Sequence, residues 1–511
     1  MARNPLTLWL VRSVVIFTFG LSSCSHPPRS GIRFALATAP VTLDPRFATD
    51  AAGERISHLL YRHLVDFDSH WQAIPDLAHW EHLSPTRWRF VLGDSGRTFH
   101  DGTRLTATDV QATYQSLLDP ATASPYRTAL IGIQQIIVVD EDRVDFLLQT
   151  PDPQFPGRLT QGILPARLLT TNHSLATTPL GSGPFTFLAR PEEGRLQLRR
   201  IADGETVEFI EVKDPTVRVL KLLRGEIDIL QGDLPPELVT YLEKQPELRV
   251  QRTQGTTFAY LGFNLADPVT ADEGVRQAVA AAIDGPAIIR YLLAGSARPA
   301  ASLLPPEHWA GHPSLAGPTY DPARAKKLLA AAGYATPGDE NGKPPLSLVY
   351  KTSNDPLRVR IATVIQHQLA QVGIQVDLRS YDWGTFYGDI KTGRFQIYSL
   401  SWVAIKTPGI FRYVFHSNAF PPAGANRGHY QNPQIDNLID QAEIQSDPAD
   451  QVRLYQALQA QLATDLPYVP LWYEDQIAAM GRNVMGYQVS GDGNYRALAA
   501  TTVPFGRRAN Y

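Results

Sequence analysis

The punctuation of this chain constrains its fold more than any other feature. Proline repeatedly follows an Asp or Asn just ahead of a helix-periodic run: Asp214-Pro215, Asp321-Pro322, Asp355-Pro356, Asn432-Pro433 and Asp447-Pro448. Pro suits the first helical position, where its missing N–H is not needed, and the preceding side-chain oxygen can cap the helix. Gly225, Gly333 and Gly373 stand where three of these helices should stop. Short apolar runs read as strands over 32–37, 207–212, 227–230, 257–264, 346–350, 374–378, 395–402 and 468–473. Strands alternating with capped helices predict an α/β fold with parallel or mixed sheets flanked by helices. From Asp272 onward the pattern shifts to long helices joined to short strands, which marks a change of domain near residue 265.

The first residues belong to a different regime. Arg3 and Arg12 precede an apolar run of about eight residues that ends in small residues, the layout of an export signal. That run is far short of the ~20 residues a spanning helix needs. The only cysteine, Cys24, closes Leu21-Ser22-Ser23-Cys24, which resembles the lipobox of bacterial lipoproteins. The resemblance implies lipidation of Cys24, a signal peptide over 1–23 and a Pro-rich tether over 24–30, with the mature chain anchored by lipid to a membrane of the cell envelope. Loss of residues 1–23 removes two cations and no acid, so the formal charge moves from −3 to −5. A mildly acidic chain with no basic block is not built for nucleic acid. With no second cysteine, stability must come from an apolar core, and at 511 residues and 43 % apolar the chain can bury one in each of two or three domains.

Several stretches invite chemistry. Leu180-Gly-Ser-Gly-Pro-Phe185 is a glycine turn, but no Lys-Ser or Lys-Thr follows and Pro184 blocks the helix entry that a phosphate loop requires. His58, His63, His70, His79 and His82 lie close in sequence, and His79 and His82 have the i,i+3 spacing of one helical face. No His-Glu-x-x-His spacing occurs, so neither a metal site nor any other cofactor is expected. Gly-x-Ser-x-Gly and cysteine-nucleophile patterns are also missing, which argues against an exported hydrolase with a His/Asp/Glu site.

Seven motifs occur in a fixed order: Thr42-Leu-Asp-Pro45; Phe99-His-Asp-Gly102 with Leu105-Thr-Ala-Thr-Asp-Val110; Gly181-Ser-Gly-Pro-Phe185; Leu223-Arg-Gly-Glu-Ile-Asp228; Val275-Arg-Gln-Ala278 with Ala282-Ile-Asp284; Ala325-Lys-Lys-Leu-Leu329 with Gly333-Tyr334; and Gly373-Ile-Gln-Val376. Together they resemble the extracytoplasmic solute-binding proteins of peptide and nickel ABC importers, family 5. The resemblance implies a two-lobed periplasmic-binding-protein-like fold with an extra inserted domain. Lobe I would comprise 31–55, 180–259 and 486–511, the inserted domain 56–179, and lobe III 260–485. The clustered histidines fall in the inserted domain, which would set them away from the crevice between the lobes. The resemblance also implies a monomer that captures a peptide or other small solute by hinge closure and delivers it to a membrane permease with its ATPase, or else reports it to a sensor partner.

In that family an extended ligand lies between the lobes, among aromatic side chains. The resemblance therefore makes Tyr260, Trp383, Tyr398, Trp402, Phe411 and Tyr413 candidate contacts, and Arg412 and Arg427 candidate partners for a carboxylate. Trp402 leads this group because it ends a strand at the expected crevice. Many peptide-binding relatives place an Asp before the Pro that follows this tryptophan, where it captures the peptide amino group. Here Lys406-Thr407-Pro408 stands in its place. A cation at that point should repel an ammonium and favour an anionic or neutral group.

Overall fold

The computed structural model describes residues 31–337, 344–403 and 405–504. The segment read as an export signal, the segment read as a tether and Cys24 lie outside them. Two lobes share one long sheet, in which the order of strands runs Ile374–Tyr381, Leu346–Ser353, Ile397–Trp402, Leu248–Phe263, Tyr468–Gly481, Ile229–Gln231, Ile32–Leu36, Thr206–Glu211, Arg195–Arg200 and Phe185–Ala189. Parallel and antiparallel pairings mix along it. The antiparallel strands Leu248–Phe263 and Tyr468–Gly481 are long enough to serve both lobes. Their outer halves pair beside Ile229–Gln231, and their inner halves pair beside Ile397–Trp402.

Between these halves the register jumps. Thr253 faces Gln476 and Thr257 faces Glu474, so three residues bulge opposite one. Gly255 sits in the bulge, where a Cβ would come within 2.2 Å of the Glu474 carbonyl oxygen. On one side of the bulge lies a core built on Phe34, Phe209, Tyr487 and Tyr495. On the other lie cores built on Leu261, Val279 and Leu348, and on Tyr260, Phe411 and Tyr455. A separate four-stranded antiparallel sheet, ordered Ala78–Ser84, Arg87–Leu92, Arg143–Leu148, Ile133–Val138, carries its own core around Phe90, Tyr114 and Phe146.

The helix punctuation is realised in the fold. Asp214, Asp321, Asp355 and Asp447 each accept a hydrogen bond from the backbone N–H of the third residue of the helix they cap, with Pro at its start. Gly225, Gly333 and Gly373 take positive φ at the stops. Two expectations need correction. The apolar spacing of Ile56, Leu59, Leu60 and Leu64 predicts a helical stripe over 54–64, but the helix is Ala51–Leu60, because the Asp50 side chain caps it through Gly53 N–H at 2.7 Å. His79 and His82 lie on the strand Ala78–Ser84, where a spacing of three places side chains on opposite faces. His82 stacks on the cross-strand Trp88 at 4.3 Å.

Candidate functional site

A cavity of about 890 Å³ opens between the lobes. Its first wall is the helix Ala51–Leu60, which presents Glu54, Ser57 and His58, with His63 just beyond its end. The Gly181-Ser182-Gly183 turn sets the position of this helix. Gly183 N–H donates to the Leu60 carbonyl at 2.9 Å, and a Cβ on Gly181 would lie 2.0 Å from that same oxygen. The glycines permit a close approach of turn to helix end, which is the work of this turn in place of holding a phosphate.

The second wall comes from the far side of the sheet. Trp402 ends its strand, and Val403, Ile405, Lys406 and Thr407 follow, before Arg412 and Tyr413 of the helix Ile410–Phe415. Arg158 and Glu443 complete the charged lining. Lys406 Nζ lies 3.4 Å from Glu54 Oε1, so one ion pair crosses the cleft. Arg412 pairs with Glu443 at 2.7 Å and with Asp440, and Arg158 pairs with Asp152 at 2.5 Å. The expectation that Lys406 repels an ammonium rests on the cation alone. With Glu54 against it, the pair is balanced.

A wired chain of groups stands behind Glu54. Arg496 Nη2 meets His58 Nδ1 at 3.2 Å and holds Asp66 with its guanidinium. A guanidinium only donates, so His58 Nδ1 must accept and the ring proton sits on Nε2, which faces Glu54 at 3.7 Å. Burial opposes the charge of Glu54, but His58 and Lys406 outweigh it and hold its carboxyl well below the usual range. Burial pushes His58 down, and His63, whose tilted ring lies 4.2 Å from it, well down, so both rings are neutral near pH 7.

These positions correct one expectation and sort the rest. His58 and His63 line the crevice rather than standing away from it, because the helix that carries His58 packs directly under the glycine turn. Trp402, Arg412 and Tyr413 also reach the cavity. Tyr260 and Trp383 instead line a smaller cavity of about 220 Å³, which shares Val403 with the first and is also bordered by Ser399, Ser401, Arg358 and Trp472. Tyr398 and Phe411 are fully buried in the aromatic core and border neither cavity. Arg427 is 7 % exposed and has no carboxylate partner among the described residues. It donates to the hydroxyls of Tyr260 and Tyr387 at 3.4 and 3.2 Å, and its guanidinium lies 4.9 Å from the Trp402 ring centroid. Arg427 thus backs the wall that Trp402 presents. Sequence reasoning misses Glu54, His58, His63, Arg158 and Glu443 as cleft residues. An i,i+4 Glu/His pair on an amphipathic helix carries no signal that separates a cleft from an ordinary surface.

Comparison with known proteins agrees with this geometry. The chain is 25 % identical over 497 residues to the glutathione-binding protein GsiB of Escherichia coli (strain K12), covering 93 % of this chain and 95 % of that one. Among solved structures it shares its fold with NikZ from Campylobacter jejuni in complex with Ni(L-His), at a TM-score of 0.78 and 22 % identity, covering 93 % of this chain and 100 % of that one. It shares it equally with the oligopeptide-binding protein AppA from Bacillus subtilis in complex with a nonapeptide, at a TM-score of 0.76 and 24 % identity, covering 94 % of this chain and 100 % of that one. Residues 72–420 match the profile of bacterial extracellular solute-binding proteins, family 5 (middle). With its two lobes, its bulged connecting strands and its interlobe cavity, the chain belongs to the bacterial extracellular solute-binding proteins of family 5.

Proposed function

We propose that this protein captures short peptides or similar small amino-acid-derived solutes outside the cytoplasm and hands them to an ABC permease and its ATPase. The observation that carries this reading is the cavity itself. Both lobes line it, and its volume falls at the upper end of the ~300–1,000 Å³ typical of small-molecule sites. Acids and bases are present on its walls together with the Trp402 and Tyr413 rings, a lining suited to a solute with both charge signs and apolar substituents. The relative named for glutathione and the neighbour solved with a nonapeptide support the same class. The division into lobe I (31–55, 180–259, 486–511), inserted domain (56–179) and lobe III (260–485) is part of this reading. It is supported by the separate core of the four-stranded sheet and by the bulge at Gly255. Lipid anchoring through Cys24, a monomeric state and the lack of any catalytic step complete it.

Native mass spectrometry of protein purified gently from its cells tests the proposal. A retained peptide or amino-acid derivative, recovered intact, is the expected result. A retained sugar or lipid, or a peptide returned cleaved, would overturn it.

A further inference from the structure

The ion pair across the cleft deepens the peptide reading and depends on it. We infer that the Glu54–Lys406 pair is a charge gate: a bound solute parts it, placing its cationic group on Glu54 and its anionic group on Lys406, so that the protein selects zwitterions.

The geometry supplies the argument. The two residues are 352 positions apart, face each other from opposite walls, and both line the cavity. At 3.4 Å no solute group fits between them. A solute seated at this point must therefore separate them. Each charge then sits in a cleft from which closure expels water, and an ion left there without a partner costs several kcal/mol. A solute bearing one charge re-partners only half of the pair. A neutral solute re-partners neither. A zwitterion satisfies both ends and leaves the charge balance of the cleft unchanged.

Each residue is also held for this role from behind. The Nε2–H of His58, fixed by Arg496, faces Glu54 and keeps an ionised acid favourable even when Lys406 has moved away. The remaining cations of the lining are committed elsewhere, Arg412 to Glu443 and Asp440, and Arg158 to Asp152. Lys406 is the cation whose partner stands on the opposite wall. Its backbone is pinned where the His308 imidazole Nε2 meets the Lys406 carbonyl at 3.3 Å, while its side chain reaches across.

Two measurements on the mature chain test the gate. The first needs no ligand. With a donor and acceptor dye placed across the cleft, the ligand-free wild type should populate the closed state more than Glu54→Lys or Lys406→Glu does, and the charge-swapped double variant E54K/K406E should recover closure. Failure of the double variant to recover would overturn the pair as a contact between lobes. The second measures calorimetric affinity for a mixed panel of di- and tripeptides and glutathione, each free, N-acetylated or C-amidated. Wild type should bind the free forms about 10- to 100-fold more tightly than either blocked form, the range set by hydrogen bonds to a charged group. Glu54→Gln should abolish the discrimination against N-acetylation, and Lys406→Met the discrimination against C-amidation. Equal binding of free and blocked peptides by wild type would overturn the gate and leave the peptide reading standing. Absence of binding by any form would overturn the peptide reading, while the ligand-free closure still decides whether the pair spans the cleft.

Discussion

Glu54 and Lys406 meet across the cleft, yet the chain holds them there by different means. Glu54 rides on a helix. Its position follows from main-chain hydrogen bonds, the Asp50 cap and a glycine turn pressed against the helix end. Lys406 lies between the strand Ile397–Trp402 and the helix Ile410–Phe415, and no described residue of 403–409 belongs to a helix or strand. That wall is fixed by side chains: buried Ile405, His308 against the Lys406 carbonyl, and Arg427 behind Trp402. A wall set by backbone packing resists change, whereas a wall set by side chains can trade one residue for another without refolding. Ligand selectivity in such a protein should therefore vary through the loop wall, and stability should be lost most directly through the supports of each wall.

The largest expected effect probes the support of the loop wall. His308 is 3 % exposed, and its Nδ1 accepts the Ala310 N–H at 3.0 Å. A proton on Nδ1 would meet that N–H head on. Burial lowers the pKa to about 4, against a smaller opposing effect of the Lys406 carbonyl. Above about pH 6.5 the ring is neutral in both states; between 6.5 and 4 the unfolded chain takes up the proton and the folded chain does not, so stability falls as pH falls. The full loss at this one group approaches about 3 kcal/mol. Denaturant titrations at pH 7 and pH 4 should show a loss that the His308→Gln variant lacks by about that amount. Parallel pH profiles for the two proteins would mean that the loop wall does not depend on this ring.

Next in size is the support of the helix wall. A methyl group on Gly181 meets the Leu60 oxygen, and one on Gly183 meets the Leu59 oxygen at 2.3 Å. Gly183→Ala should destabilise by about 2 kcal/mol through overpacking. It should also weaken solute binding, since relief of the clash shifts the helix that carries Glu54. Unchanged affinity together with a lowered denaturation midpoint would show that the helix tolerates the shift. A smaller effect is expected at the other end of the same helix. Asp50→Ala removes the cap on Gly53 N–H and should cost about 1 kcal/mol, read from the same titrations.

Much of this architecture is legible in the residues, for reasons that also explain what is not. Asp355-Pro356 and Gly373 bracket a helix because capping and positive φ are local demands, satisfied within a few residues. The apolar stripe places the Ala51–Leu60 helix too late in sequence, because Asp50 caps it without a following proline to mark the start. The i,i+3 spacing of His79 and His82 suggests a helix because a spacing of three is ambiguous over so short a stretch, and the sheet settles it. Only the apolar inner half of the strand Leu248–Phe263 shows in the pattern. Its outer half is partly exposed beside the bulge and carries Arg249, Gln251 and Arg252. The site itself depends on contacts that no window contains. Trp402 and Arg412 can be named from resemblance, but Tyr398 and Phe411 share the same aromatic character and serve the core instead. Nothing local pairs Glu54 with Lys406.

The smallest expected effect is the stability change from breaking that pair, and it separates the two walls most cleanly from their contents. Glu54 and Lys406 side chains are 40 % and 20 % exposed, so water already screens them in the ligand-free protein. Glu54→Gln and Lys406→Met should each change unfolding free energy by only about 0.5 kcal/mol, and less in high salt. The supports behind them, by contrast, are worth several times as much. A residue that costs little to remove from the fold but much to remove from binding is one the fold does not need. If either substitution instead destabilised the protein by as much as the glycine variant, the pair would belong to the scaffold of the cleft, and the difference between a built wall and a selectable one would disappear.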